Sequence, residues 1–222
     1  SFGRGFYVLD DYSSLRTLPG ALENGTNTLF PVRDAWWYIP SVPMQAKGMP
    51  SQGSTSFVSE NPEFGAVFTY YLKEVPKTGK QTRQEAEKAL KAKNESVPFP
   101  GWEQLREEGL EQEVRALLLV SDAKGQPIRW LEGSTSEGLH RISWDLRYPA
   151  PDPIDLSQPD FIPPWVGSPQ GSLAVPGQYS ATLYLLHEGS MAPQGEAQVF
   201  EVKAVPNAPE GTDFGAVASF QQ

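Results

Sequence analysis

The sequence predicts a mainly β protein, an antiparallel β-sandwich of immunoglobulin or fibronectin type III character that carries a charged helical insertion. Three observations lead there. Short stretches in which apolar and polar residues alternate recur along the chain, as strands with one face in a core require. Glycine (20) and proline (21) are plentiful among the 222 residues, which many turns demand. Residues 73–115 hold nine basic and nine acidic side chains and are electrically neutral, so the rest of the chain carries the whole net charge of −9.

The elements follow in chain order. Gly3–Leu9 is strand-like. Asp11–Leu18 suits a short helix, with Asp10 and Asp11 as turn or N-cap carboxylates that accept orphan N–H groups. Residues 40–60 are rich in Pro, Gly and Ser and read as a linker, so residues 1–60 stand apart from a sandwich domain spanning 61–206. Gly65–Leu72 (GAVFTYYL) has large side chains in both phases, which suits a strand covered on both faces. The insertion occupies about 75–113. Within it Gln81–Lys93 is built from strong helix formers, but its apolar stripe is only Ala86, Ala89 and Leu90, so the helix is solvated. A second helix is expected over Trp102–Glu113, with Trp102, Leu105 and Leu110 as its apolar contacts.

Val114–Ser121 then places Val114, Ala116, Leu118 and Val120 on one face, and Asp122–Gly125 is a hairpin loop leading back through Pro127–Leu131. Leu139–Arg147 puts Ile142, Trp144 and Leu146 on one side and Arg141, Ser143, Asp145 and Arg147 on the other, where the charges suit a surface ion-pair ladder. Trp130 and Trp144 are expected in the core. Eight of the 28 residues from Pro149 to Pro176 are proline, so no regular ladder crosses this stretch. It reads as a long connection wrapping a surface through Phe161 and Trp165. Gln178–Leu186 turns Tyr179, Ala181, Leu183 and Leu185 inward, Ala197–Ala204 closes the sandwich with Val199, Phe200 and Val202, and residues 207–222 form a tail.

Composition narrows the chemistry. With 27 acidic and 18 basic side chains the long-range field repels phosphates, so nucleic acid is not expected as a partner. No run approaches the roughly 18 apolar residues of a membrane helix. Cysteine is absent, which removes disulfides, thiol nucleophiles and thiolate zinc sites. Gly79-Lys80-Gln81-Thr82 lacks the spacing of a phosphate loop, and no GxSxG is present, so neither nucleotide nor esterase chemistry is expected. Asp10 and Asp11, adjacent on an extended chain, cannot share a substrate as a glycosidase pair does.

His140 is expected at a sandwich edge with a backbone partner, and His187 exposed at a strand end. The carboxylates Asp152, Asp155 and Asp160 lack the Gly and terminal Glu of a calcium loop, so no metal site and no cofactor are expected, and no catalytic residue is assigned. The open candidates are aromatic. Trp36 and Trp37, together with Phe161 and Trp165, either contact a carbohydrate or partner or staple their segments onto the domain.

Four stretches carry a resemblance: GRGFYVLDDYSSLR near the start, NPEFGAVFTYYLKE at 61–74, GWEQLREE at 101–108 and GLHRISWDLRYPAP at 138–151. In that order they resemble the C-terminal region of large bacterial proteins with BNR or sortilin-like repeats, commonly labelled glycosyl hydrolase or sialidase-like. The resemblance implies a preceding β-propeller as partner, with GRGFYVLDD as the strand leaving its last blade, and an exported, periplasmic or cell-surface protein. It implies a non-catalytic accessory or interaction module here, or, alternatively, a glycan-binding module of a carbohydrate-processing protein. The segment from Gly138 to Tyr179 is also similar to the immunoglobulin-like fold of flagellar hook-capping proteins, a likeness that concerns fold only.

Overall fold

Alternation of side chains, strand by strand, builds two sheets that share one apolar interior. The structure, a computed structural model, describes residues 9, 11–40, 53, 55, 61–151, 161, 169–206 and 213–221. Gly3–Val8, most of the 40–60 linker, Asp152, Asp155, Asp160 and Trp165 lie outside the described residues.

In chain order the elements are α1 (Ser13–Asn24), β1 (Thr28–Leu29), β2 (Ala35–Trp37), β3 (Ala66–Leu72), α2 (Gly79–Ala92), α3 (Trp102–Leu110) and β4 (Arg115–Asp122). They continue with β5 (Pro127–Gly133), β6 (Gly138–Trp144), β7 (Gly177–His187), β8 (Ser190–Pro193), β9 (Gln198–Ala204) and α4 (Phe214–Gln221). One sheet has the order β1-β3-β6, and the other β2-β9-β7-β4-β5 with β8 paired to β7. The fold is thus mainly β and sandwich-like. Every pairing is antiparallel except that of β2 with β9, which is parallel. β1 and β2 fall within residues 1–60, the stretch read from the sequence as exit strand and linker, and they extend both sheets.

The interior is made by inward rows of both sheets. Phe68, Tyr70, Leu72 and Trp144 come from the smaller one, and Leu118, Val120, Tyr179, Ala181, Leu183, Phe200 and Val202 from the larger. The rings of Trp144 and Tyr179 meet edge to face at 5.4 Å, and those of Phe68 and Phe200 at 5.5 Å. The polar tips of these interior rings find carbonyls: Trp144 Nε1 donates to Arg147 O (2.9 Å), Tyr70 Oη to Ser134 O (2.8 Å) and Tyr179 Oη to Val175 O (2.6 Å). Such partners offset the cost of taking a hydroxyl or indole N–H out of water. Burial pushes the Tyr70 and Tyr179 hydroxyls above the usual tyrosine range, so both stay protonated.

β3 carries buried or half-buried side chains along its whole length, because α1 lies against it outside the sheet. Its entry depends on Gly65, whose φ is +105° and where a Cβ would lie 1.9 Å from Trp144 O. Only glycine lets the two backbones approach so closely. The β4–β5 hairpin is fixed by Asp122, whose Oδ1 accepts from the N–H groups of Lys124 and Gln126, both at 2.8 Å. This is the Asx type of turn that aspartate favours.

α2 begins with a capping box in which Thr78 Oγ1 accepts from Gln81 N (3.2 Å) and Gln81 Oε1 from Thr78 N (3.1 Å). It buries no side chain. Arg83 ties it to α3 through a forked pair with Glu108 (Nε to Oε1 2.7 Å, Nη2 to Oε2 2.8 Å), and also bonds Glu87. These bonds raise the Arg83 guanidinium above its ordinary value and lower the Glu108 carboxyl.

Several expectations are corrected. Trp130 is 44% exposed and lies on Tyr184: it pairs with Leu119 on the outer face, and the bulge where the register shifts between Val120 and Ser121 reverses the phase, so that Ile128, two positions earlier, enters the interior instead. Val199 is exposed because Phe200 and Val202 take the inward phase of β9. Trp102 and Leu110 are largely exposed, and only Leu105 of that set is half-buried. The ladder around Asp145 does not form: Asp145 accepts from Arg147 N, while Arg141 and Arg147 donate to the carbonyls of Asp11 and Gly171.

Trp144→Ala is expected to cost about 3–5 kcal/mol as a large-to-small change in a closed interior. Trp130→Ala is expected to cost no more than about 1.5 kcal/mol, the scale of one aromatic pair. Urea denaturation midpoints of the two variants check the contrast.

Candidate functional site: an aromatic cleft beside β2

β2 is only three residues long, and its alternation sorts the tryptophans. Ala35 is buried, Trp36 is 52% exposed and Trp37 is half-buried. The pairing Ala35↔Val202, Trp36↔Lys203, Trp37↔Ala204 fixes this phase. Asp34 holds the strand in register by accepting from Glu201 N (3.1 Å) and Lys203 Nζ (2.6 Å). The Lys203 ammonium and the Glu201 N–H keep the Asp34 carboxyl below the usual carboxylate range.

Trp37 is the staple of the two. Its Nε1 donates to Ala174 O (2.8 Å), and its ring meets Phe214 of α4 edge to face at 5.3 Å. Trp36 and Tyr38, two apart on an extended segment, take the other side, and the Tyr38 ring meets Phe64 at 4.9 Å, also edge to face. The three aromatics line a cleft of about 620 Å³ together with Asp11, Arg33, Asp34, Asn61, Glu63 and Arg141. A partly open aromatic floor with polar groups of both signs around it is therefore the main candidate site.

Two of the carboxylates here, Asp11 and Asp34, are structural. Burial pushes Asp11 upward, but the Ser13 N–H, Arg33 and Arg141 outweigh it and the group sits below its ordinary value. Asp11 and Asp34 are thus both held ionised at neutral pH. A general acid in glycoside hydrolysis needs the opposite displacement, a carboxyl that keeps its proton. What these groups can do is accept hydrogen bonds beside an apolar floor.

The other candidates scatter. Phe161 is 70% exposed, with no ring or hydrogen-bond contact to the described residues, and Trp165 lies outside them. Asp11 accepts from Ser13 N at 2.9 Å, the turn role its position suggested, whereas Asp10 lies outside the described residues. His140 meets Ser136 O at 2.6 Å and stacks on Tyr70, a backbone partner at the sheet edge as expected. His187 differs from expectation: β7 runs through it in the inward phase of Leu183 and Leu185, so it is half-buried.

Tyr38, Phe64 and Arg33 were not singled out as site residues in the sequence, and Arg141 was assigned to an ion-pair ladder. Tyr38 was legible, since i and i+2 share a face on any strand. Phe64 was not, because the pairings that bring it to β2 span the whole chain. No family model, curated protein or solved structure matches this chain.

Asp34 leads to a pH prediction. Its carboxyl titrates lower in the folded chain than in the unfolded one, where aspartate titrates near ~3.9. Its contribution is therefore present above that value and lost as pH falls through the folded one. Asp34→Asn should lower the denaturation midpoint at pH 7 and flatten its decline below about pH 4. Urea melts at stepped pH values read both effects.

Proposed function

We propose that this chain is a non-catalytic accessory module, a sandwich of immunoglobulin or fibronectin type III character, which accompanies a β-propeller in an exported protein and docks on a partner through the cleft beside β2. The four sequence stretches with BNR or sortilin-like resemblance support the propeller and the export. α2 and α3 are read as a charged insertion between β3 and β4, solvated and tied together by Arg83 and Glu108. The observation that carries the binding role is the pairing of exposed Trp36 with Tyr38 over one cleft, rimmed by arginines and carboxylates. An aromatic body with a polar edge suits an interface that is apolar in the middle and wet at the rim.

The same floor favours a second reading, a glycan-binding face. Sugar rings present C–H faces to aromatic rings and hydroxyls to the surrounding Arg, Asp and Asn side chains.

Affinity electrophoresis through gels containing soluble polysaccharides separates the readings. Under docking, mobility is unchanged, and in a longer chain that carries the propeller Trp36 becomes shielded from acrylamide quenching. Under glycan binding, the module is retarded and Trp36→Ala with Tyr38→Ala abolishes the retardation. Trp37→Ala should instead lower stability, because it removes the bond to Ala174 O. An unshielded Trp36 together with unretarded migration would reject both.

A further inference from the structure

The tight turn from β7 to β8 brings together two potential metal ligands that a regular strand would separate. Adjacent residues on a strand point to opposite faces. Here the strand ends at His187, and Glu188 and Gly189 take left-handed φ values of +49° and +73° before β8 begins at Ser190. Glu188 therefore leaves the strand phase, and its carboxylate reaches the side on which the His187 ring lies. Glu111, immediately after α3, completes the group: one ligand atom from each of Glu111, His187 and Glu188 lies within 4.8 Å of the other two.

Two further observations favour a ligand at this point. His187 Nε2 is shielded from solvent and has no hydrogen-bond partner, the one such side-chain atom among the described residues. A shielded ring nitrogen without a partner loses its hydration for nothing within the chain. The Glu111 carboxylate is held in place, since Oε1 accepts from Gly79 N (2.8 Å) and Oε2 from Lys80 N (3.4 Å). A carboxylate has about four lone-pair positions, so two amide bonds fix its orientation and leave acceptor capacity free.

We infer that Glu111, His187 and Glu188 form a binding site for a divalent transition-metal ion of the zinc class. Imidazole with carboxylates suits such an ion better than magnesium or calcium, which take oxygen ligands. Bonds of about 2.1 Å at tetrahedral angles place ligand atoms about 3.4 Å apart. The ligand atoms, within 4.8 Å of one another without an ion, close toward that spacing when the ion binds. The ion joins the β7–β8 turn to the segment leaving α3, and so fastens the helical pair to the larger sheet.

The chain suits a clean test, because it holds no cysteine and only two histidines. Tag-free protein is titrated with zinc chloride by calorimetry, while the ring nitrogens of His187 and His140 are followed by NMR. One zinc per chain is expected, with the His187 signals moving and those of His140 still. Three variants should each weaken binding by at least about tenfold, the lower end of what even an outer partner of a metal ligand is worth. They are His187→Gln, Glu111→Gln, which keeps an acceptor for Gly79 N, and Glu188→Asn, which tolerates the left-handed turn. His140→Gln should leave affinity unchanged. If a variant loses its fold by circular dichroism, the remaining two and the wild-type NMR decide. Absence of saturable binding, or binding that moves His140 or survives in folded variants, would overturn the site.

Discussion

Two sheets facing each other must fill the space between them without stranding polar atoms, and in this protein aromatic rings meet that constraint. Trp144, Tyr179 and Phe200 lie within 6.4 Å of one another, centroid to centroid, and Phe68 joins at Phe200. Large rings occupy volume that aliphatic side chains would need several strands to supply. Their indole and phenol tips, however, oblige nearby loops to present carbonyls. Residues 134, 147 and 175 do so, and the connections after β5, after β6 and before β7 are thereby held against the interior. Gly65 belongs to the same arrangement, because the β3 backbone meets the Trp144 carbonyl there.

That constraint explains which elements were legible in the sequence. β4 and β7 are long enough for alternation to declare both phase and inward row, β3 declares a strand but no phase because large side chains occupy both, and Asp122 with Gly125 declares the hairpin between β4 and β5. β1 and β2 have two and three residues. No periodicity exists at that length, and they become strands only because β3 and β9 offer them free edges. Trp130 misleads for another reason: size and hydrophobicity suggest burial, but strand phase decides it, and an aromatic neighbour across the outer face suffices to settle the ring. Val199 beside Phe200 shows the same choice made in favour of the larger side chain.

The candidate cleft was half visible. Three successive aromatics at 36–38 on an extended segment must divide between two sides, and the division itself was readable. Which side is open was not, since it depends on the parallel register with β9 and on the Ala174 carbonyl that receives Trp37. Glu111 and His187 were invisible as a pair for a similar reason. Sequence separation hides them, and only the strand phase of β7 and the left-handed turn after it bring the ring and the carboxylates together.

The parallel contact of β2 with β9 has a consequence for biogenesis. Asp34 and Glu201, which clasp that edge, are 167 positions apart. A ribosome releases residue 34 long before residue 201 exists, so the early segment waits unpaired while the rest of the larger sheet is synthesised. Until it docks, β9 offers a bare ladder of amides and carbonyls to any neighbouring chain. Copies in which β9 has formed but β2 has not yet docked are therefore the ones open to strand exchange, and the contacts of Asp34 with Glu201 N and Lys203 Nζ close that edge.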